Sequence, residues 1–423
     1  MKKGSIVIYN ASEVVTCSGF KGKAGDQMQD LKVIKNASIV VEDGIITKIT
    51  DDVLDLDYYR EKEFALIDGA DKCVLPGFVD SHTHFIFGGY RADEYNWRLN
   101  GVSYMEIMNR GGGIINSVKG TKETTKEELI SLGIRRLNSM AGFGVTTVEG
   151  KSGYGLDLDT EIKQLEVMKE LNKIHSLDII TTFLGPHARP AEYKQEPDKF
   201  IDFMIDDVLP IVDQRGLAEF ADIFCEENVF SVEQSRKFLL AAQKKGFKLK
   251  VHADEIVRLG GAELAAELGA ISADHLLQAS DEGINAMKEA GVVATVLPCT
   301  AFSLKEPYAR VRHMIDQGLV VALATDFNPG SCFTESIPLL IALATNQMGM
   351  TIEETITALT INGAAALDRA DQVGSIDIGK KADLVVHEFP SYKFLPYHIG
   401  VSTVEKVVKN GVLILDKENN NPL

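Results

Sequence analysis

The sequence predicts an α/β fold in which a TIM-like (β/α)8 barrel is joined to a small β-sandwich domain built from both termini. Three observations predict it. Eight segments rich in Val, Ile, Leu and Ala alternate with amphipathic stretches, as expected of parallel strands buried on both faces. The two ends of the chain are β-rich instead. Polar side chains collect where the predicted barrel strands end, which is where such barrels carry their active sites.

The two terminal segments, residues 1–75 and 372–423, are predicted to form the small discontinuous β domain. Strand-like runs such as ASIVVEDGIITKIT and STVEKVVKNGVLILD occur in both. The pairs Asp43-Gly44 and Asn410-Gly411 each separate two apolar runs, a pattern typical of tight β-hairpins.

Residues 76–371 are predicted to form the catalytic barrel, with the alternative that they form a doubly wound open sheet. The eight strand candidates are VLPGFVDSH, GVTTVEGKSGYG, DIITTFLGPHA, ADIFCEE, FKLKVHADE, AISADHLL, GVVATVLPC and LVVALATDFNPG. An open sheet usually has fewer strands, so the number favours the barrel. Between them, Ile162, Leu165, Met168 and Leu171 recur at roughly helical spacing, and TIEE at 351–354 has the form of a capping box.

Composition excludes several classes of function. A net charge of −17 argues against nucleic-acid and anionic-membrane partners. The N-terminus has only a short apolar stretch and no later run approaches the length of a membrane span. Five cysteines, an odd number without any CxxC pair, argue against a disulfide framework and favour a reducing, cytoplasmic location.

The stretch DSHTH places His82 and His84 one residue apart at the end of the first predicted barrel strand. Alternation along a strand directs residues i and i+2 to the same face. Two imidazoles on one face suit a shared cation, although a single His-x-His pair also arises by chance.

The other predicted strand ends strengthen the metal interpretation, because most of the nine histidines lie there. In strand order, these ends carry His82 and His84; Glu149, Lys151 and Tyr154; His187; Cys225, Glu226 and Glu227; His252 and Glu255; Asp274 and His275; and, on the eighth strand, Asp326 and Asn328. Imidazole and carboxylate ligands without thiolates suit Zn²⁺ or iron. Asp274 is alternatively a helix N-cap or a partner of a ligand, and Glu226 and Glu227 are expected to be loop carboxylates.

A cation site with an open position activates water at neutral pH. Glu255, His275 and Asp326 are candidate catalytic residues beside it, so the predicted reaction class is hydrolysis of a C–N bond. Lys151 has two interpretations: a carboxylated lysine that bridges two metals, or, more simply, a salt-bridged lysine. His187 is either a site residue or a core imidazole.

Arg91, just past the first strand, is predicted to bind a substrate carboxylate through its guanidinium. The alternative is a surface salt bridge with Asp93 or Glu94. Tyr154 would add a hydroxyl donor. The run Gly111–Gly113 lacks phosphate-binding spacing and is interpreted as a loop that could act as a lid.

With these motifs, the chain resembles the amidohydrolase superfamily over nearly its whole length. The motifs are LPGFVDSHTHFIFGGYR, GVSYMEIMNRGGGI, GVTTVEGKSGYGLDLDTE, TTFLGPHARP, KVHADE, SADHL and ALATDFNPG. The HTH and HAD segments occur across the superfamily. GGGI, KSGYGL and TDFNPG in this order are more specific, and they resemble the branch that opens the ring of 4-imidazolone-5-propanoate in histidine degradation.

The resemblance implies one Zn²⁺ or Fe²⁺/Fe³⁺ per subunit, a small anionic substrate and a homodimer. It implies that the metal ligands are His82, His84, His252 and Asp326. It also implies that the substrate is contacted by Arg91, Tyr154, His187, Glu255, Asn328, Gly330 and Ser331, with His275 as a catalytic partner.

Two competing functions use the same residues differently. A metal-dependent purine or pyrimidine deaminase would share the metal site, but a neutral base needs no carboxylate-binding Arg91. A non-catalytic assembly protein with this barrel is expected to have lost ligands, and all of them are present in this sequence.

Overall fold

The structure is a computed structural model, and it describes residues 3–102, 106, 110 and 112–418. Seventeen strands follow one another within these described residues. They are β1 Ile6–Val15, β2 Val33–Glu42, β3 Ile45–Thr50, β4 Ala65–Asp68, β5 Cys73–Pro76, β6 Phe78–Asp80, β7 Val145–Lys151, β8 Asp178–Phe183, β9 Phe220–Ala221, β10 Phe224–Cys225, β11 Lys248–Ala253, β12 Ser272–His275, β13 Val293–Val296, β14 Val321–Leu323, β15 Leu384–His387, β16 Val404–Lys409 and β17 Val412–Asp416.

The described α-helices lie mainly between the barrel strands. They are α1 Leu56–Glu61, α2 Ala92–Leu99, α3 Ile114–Glu123, α4 Lys126–Gly142, α5 Leu158–Ile174, α6 Pro197–Phe203, α7 Leu209–Gln214, α8 Val232–Lys244, α9 Gly261–Leu268, α10 Asp281–Ala290, α11 Pro298–Leu304, α12 Val311–Asp316, α13 Ile337–Gln347, α14 Ile352–Leu359, α15 Ile361–Ala366 and α16 Phe394–Tyr397. A π-helical turn, Met204–Val208, joins α6 to α7. Within the described ranges, no helix combines the length and the apolar character needed to cross a bilayer.

The predicted barrel is confirmed. The strands β6 to β14 form one sheet in the order β14-β13-β12-β11-β9-β8-β7-β6, with β10 paired to β11, and their pairings are parallel. A parallel bridge between Thr83 and Phe327 joins the two edge strands beyond their ends. The amide of His84 donates to Phe327 O at 2.9 Å, and the amide of Asp326 donates to His82 O at 3.0 Å. The contacts that close the barrel therefore also bring His82, His84 and Asp326 together.

Both termini contribute strands to a second sheet, in the order β17-β16-β15-β5-β1-β2-β3, with β4 paired to β1. Both predicted hairpins are confirmed: Asp43 and Gly44 connect β2 to β3 with φ of 50° and 85°, and Asn410 and Gly411 connect β16 to β17 with φ of 48° and 71°. Positive φ at both central residues is the geometry of a type I′ turn, which Asn-Gly and Asp-Gly favour.

The terminal sheet bends around a core of its own. An antiparallel bridge from Ile45 to Lys381 links β3 to the segment before β15, and side chains such as Ile8, Ile39 and Val386 fill the space that this encloses. The domain boundaries at 75/76 and 371/372 stay predictions.

All five cysteines are buried and free.

Two local predictions about helices are also confirmed. In α5, Ile162, Leu165, Met168 and Leu171 are all buried. The helix α14 begins with a complete capping box, in which Thr351 and Glu354 bond reciprocally to each other's backbone amides.

His387 gives a prediction about acid stability. Its ring is buried in β15, where Nδ1 lies 2.8 Å from Oγ1 of Thr403, and burial lowers its pKa to about 3. The unfolded chain therefore binds a proton here below about pH 6.5 that the folded chain does not bind. The buried imidazole of His387 therefore lowers the free energy of unfolding by about 1.4 kcal/mol for each unit by which the pH falls in this range. We expect the free energy of unfolding of His387→Gln to depend less steeply on pH between about pH 6 and about pH 4, as measured by urea unfolding. Equal slopes in the variant and the parent chain would contradict this.

Candidate active site

The ligand-type side chains predicted from separate strands meet at the carboxyl end of the barrel. Nε2 of His82 and Nε2 of His84 lie 3.6 Å and 3.5 Å from Oδ1 of Asp326. The rings of His82 and His252 have their centroids 4.6 Å apart. Candidate ligand atoms lie within 4.8 Å of one another in the groups His82-His84-Asp326, His82-His252-His275 and His84-His187-His252. The four predicted ligands are thus neighbours, and His275 and His187 adjoin them.

The cluster fits a divalent cation. Nε2 of His82 and both ring nitrogens of His252 are buried and have no hydrogen-bond partner among the residues that the structure describes, although buried nitrogens are ordinarily bonded. Burial lowers the pKa of His82, His84 and His252 well below the ordinary value, which leaves neutral imidazoles with lone pairs to donate. Nitrogen and carboxylate donors without thiolates suit Zn²⁺ or iron.

Two carboxylates lie next to Nδ1 of the imidazoles of His82 and His252, on the side of each ring away from Nε2. Oδ2 of Asp274 lies 2.6 Å from Nδ1 of His82, and Oδ2 of Asp222 lies 2.9 Å from Nδ1 of His252. The contact with Asp274 is a hydrogen bond that favours a proton on Nδ1 of His82 and frees its Nε2, as carboxylate partners do for metal-binding histidines. Asp222 lies close to Nδ1 of His252 without the alignment of a hydrogen bond, and its Oδ1 accepts the backbone amide of His252 at 3.2 Å. The contact of Asp274 with His82 favours its interpretation as the hydrogen-bond partner of a proposed metal ligand over that as a helix N-cap. Asp222 was missed by sequence reasoning, which looked for polar residues at Cys225-Glu226-Glu227, a few residues further along the same strand segment.

Lys151 has the surroundings of a salt-bridged ammonium. Its Nζ is fully buried and lies 2.7 Å from Asp222, 3.1 Å from Glu149 and 3.4 Å from Asp274. Burial by itself would lower the pKa of Lys151, but these carboxylates raise it above its ordinary value. The interpretation of Lys151 as a salt-bridged lysine therefore agrees with the geometry.

The candidate proton-transfer groups adjoin the cluster. Nδ1 of His275 lies 3.5 Å from Oε1 of Glu255, whose side chain is 16% exposed. Burial raises the pKa of Glu255 to about 8 and that of Asp326 to about 7, and it lowers the pKa of His275 to about 4. Thr300, which sequence reasoning missed, donates its hydroxyl to Oδ2 of Asp326 at 2.6 Å.

Backbone geometry at the site is unusual. His275 and Asp326 have φ of 77° and 54°, a region that costs non-glycine residues roughly 1–3 kcal/mol and that is concentrated at functional sites. The loop carrying Glu255 is held by Glu226, which accepts the amides of Ile256 and Val257 at 2.8 Å and 3.3 Å. Glu226 is thus a loop carboxylate, as predicted.

Arg91 lies at the start of α2. Its Nε donates to Oε2 of Glu94 at 2.8 Å, so one of the two predicted alternative partners is indeed present. The guanidinium packs against Gly330, where an added Cβ would lie 1.9 Å from Nη1. Glu94 also accepts the amide of Gly113 at 2.9 Å and Nδ2 of Asn116 at 2.8 Å. Glu94 therefore fixes the guanidinium, and its additional contacts with Gly113 and Asn116 could not be seen in the sequence.

The other residues that were predicted to contact the substrate lie beside the histidine cluster or beside Arg91. His187 stacks on His84 with ring centroids 4.9 Å apart, and the ring of Tyr154 lies 5.7 Å from that of His84. Oδ1 of Asn328 accepts the amides of Gly330 and Ser331, each at 2.8 Å, so Asn328 shapes this turn. The roles assigned to these residues stay predictions. Gly111, part of the suggested lid, lies outside the described residues.

Known proteins share this architecture. An adenosine deaminase from Xanthomonas campestris with bound zinc superimposes with a TM-score of 0.68 at 18% identity, covering 99% of this chain and 94% of its own. An atrazine chlorohydrolase from Arthrobacter aurescens complexed with zinc gives a TM-score of 0.67 at 16% identity, covering 98% and 96%. At these identities the likeness establishes the fold alone.

Sequence similarity is much closer. Residues 73–414 match the amidohydrolase family. An imidazolonepropionase of Clostridium tetani is 64% identical over 419 residues, covering 99% of this chain and all of the relative. One from Parabacteroides distasonis is 54% identical, covering 98% of this chain and all of the relative. The chain therefore belongs to the amidohydrolase family and, within it, to the imidazolonepropionases.

Proposed function

We propose that the chain hydrolyses 4-imidazolone-5-propanoate to N-formimino-L-glutamate in histidine degradation. The observation that carries the reaction class is the convergence of His82, His84 and Asp326 beside Glu255 and His275. The choice of substrate rests on the near-full-length similarity to imidazolonepropionases.

His82, His84, His252 and Asp326 would hold one Zn²⁺ or iron ion. When bound, that cation supplies the Lewis acidity that activates water and polarises a carbonyl oxygen at neutral pH. Asp274 holds the ring of His82 through Nδ1, and Asp222 lies beside Nδ1 of His252, so both rings would present Nε2 to that cation.

The protein's own residues bind the ring and move its protons. Arg91 binds the propanoate, and this places the ring carbonyl over the cluster. Water adds a hydroxyl group to the carbonyl carbon, the bond from that carbon to the ring nitrogen breaks, and the nitrogen gains a proton. His275 and Glu255 lie where they can take the proton from water and deliver one to the leaving nitrogen.

The other mouth residues complete substrate binding. The rings of Tyr154 and His187 both lie beside the ring of His84. Asn328, Gly330 and Ser331 form the turn against which Arg91 packs, and we place the glutamate end of the product there. The homodimer and the cytoplasmic location stay predictions.

A nucleobase deaminase is the second candidate, because it would use the same cation and proton-transfer groups. The position of Arg91 argues against it, since a neutral base offers no carboxylate to a guanidinium. The discriminating experiment incubates the protein with 4-imidazolone-5-propanoate or with adenine and cytosine. N-formimino-L-glutamate in the mass spectrum supports our proposal. Ammonia released from a base, without turnover of the imidazolone, would favour the deaminase.

Arg91→Gln tests the carboxylate contact. Loss of a charged hydrogen bond costs roughly 1.5–3 kcal/mol, so we expect kcat/KM for 4-imidazolone-5-propanoate to fall roughly 10- to 200-fold, mainly through KM. The matched control is Arg60→Gln, which removes another arginine bonded to an acidic residue three positions away but remote from the mouth. An unchanged KM in Arg91→Gln would exclude this role.

A further inference from the structure

Five charged side chains lie in the barrel interior directly beneath the histidine cluster, and we call them the interior charge cluster: Glu149, Lys151, Asp222, Lys250 and Asp274. The side chains of all five are fully buried. Burying charges is costly even when they are paired, because the loss of hydration can exceed the attraction between the partners. The cluster therefore requires a role that compensates for this cost.

Lys151 lies at the centre of the cluster and joins carboxylates from three strands. Glu149 is in β7, Asp222 follows β9 and Asp274 is in β12. Of the three contacts, that to Asp222 is the shortest, at 2.7 Å. Asp222 and Asp274 are the same two carboxylates that face Nδ1 of His252 and of His82. A single carboxylate side chain therefore separates the ammonium group of Lys151 from each of two proposed ligands, His252 and His82.

We propose that Lys151 is a positioning residue of the cation site: by holding Asp222 and Asp274, it fixes the imidazoles of His252 and His82 with Nε2 free before any cation binds. This inference rests on the proposed function, because it presupposes a cation between these histidines. It adds a role for a residue whose ion pairs, in the described part of the chain, are with carboxylates other than the proposed ligand Asp326.

The proposal predicts whether cation binding becomes weaker or tighter when the ammonium group of Lys151 is removed. A positive charge close to a cation repels it, so removing an ammonium without any structural consequence should tighten cation binding. If Lys151 positions the carboxylates, its removal should instead weaken binding, because Asp222 and Asp274 lose their shared partner and the imidazoles lose their orientation. Loss of such outer partners typically costs 10- to 100-fold in metal affinity.

Lys250 provides a matched control within the same cluster. It is equally buried and equally charged, and its Nζ lies 3.1 Å from Glu149 and 3.1 Å from Ser81 O. It approaches Asp274 only to 4.0 Å, and among the described residues no ion pair joins it to Asp222. Lys250→Met therefore removes one buried positive charge without removing the bridge.

The experiment measures Zn²⁺ binding to metal-free protein by competition with a chromogenic chelator, in the absence of substrate. We expect Lys151→Met to bind one Zn²⁺ roughly 10- to 100-fold more weakly than the unaltered chain, and Lys250→Met to bind as tightly or more tightly. Binding by Lys151→Met that is as tight as in the unaltered chain, or that rises to two Zn²⁺ per chain, would overturn the proposal.

A second measurement uses the unaltered chain and so does not depend on a variant that folds. Protons shared between an imidazole Nδ1 and a carboxylate give proton resonances far downfield of the others. We expect such a resonance from Nδ1 of His82, which lies 2.6 Å from Asp274, in the metal-free protein. Its appearance only after Zn²⁺ is added would show that the cation, rather than Lys151, orders the imidazoles. An unaltered chain that binds no Zn²⁺ would instead remove the cation site, and with it the proposed function.

Discussion

His84→Ala is expected to abolish both cation binding and hydrolysis of 4-imidazolone-5-propanoate. Nε2 of His84 lies 3.5 Å from Oδ1 of Asp326, and both residues are buried in the cluster. Loss of a residue that merely orients a ligand costs 10- to 100-fold. Loss of a ligand itself should cost more, and we expect kcat/KM to fall by at least about 10³-fold.

Two measurements check this expectation together: elemental analysis of the purified variant and its steady-state rate. The control is His313→Ala, which removes a partly exposed histidine that faces Asp281 on the outside of the barrel. It should retain the cation and full activity. A His84→Ala protein that keeps both would exclude His84 as a ligand.

Glu255→Gln has the second-largest expected effect. The carboxyl group lies 3.5 Å from His275 and beside the proposed ligands. An amide of the same size cannot exchange the proton that the leaving nitrogen requires. Loss of a general acid or base typically costs 10²- to 10⁴-fold, and we expect that fall in kcat with little change in KM.

The pH profile gives Glu255 a distinct signature. Burial raises its pKa to about 8, so the carboxyl is protonated at neutral pH and is deprotonated as the pH rises through about 8. If it donates the proton, kcat/KM should decline above that pH, and Glu255→Gln should lack this limb. Glu227→Gln, which changes an exposed carboxylate on a neighbouring loop, should retain both the rate and the limb. A limb that persists in Glu255→Gln would assign it to another group.

The barrel and the positions of most site residues could be predicted because their signals are local. Apolar runs identify strands, and parallel strands expose their carboxyl ends on one side. His252 and Asp326, 74 positions apart in the sequence, could therefore be placed at one edge without knowledge of their contact. The turns at Asp43-Gly44 and Asn410-Gly411 were predictable for a similar reason, since their backbone geometry favours those residues.

The contacts behind the ligands could not be predicted in the same way. Asp222 follows a short strand and resembles any loop carboxylate in the sequence, and only the pairing of β9 with β11 places it near His252. From the sequence alone, a pairing of Arg91 with Glu94 is expected to be a surface salt bridge. The structure shows a largely buried pair whose carboxylate also accepts hydrogen bonds from Gly113 and Asn116.

The most direct test of the central claim is the decay of the ultraviolet absorbance of 4-imidazolone-5-propanoate. The protein would be assayed as isolated, after removal of bound cations by a chelator, and after Zn²⁺ or Fe²⁺ is restored. We predict decay well above the spontaneous rate, its loss on chelation and its return with the cation. Absence of acceleration by a protein shown to contain the cation, or acceleration that survives complete removal of bound metal, would contradict the account.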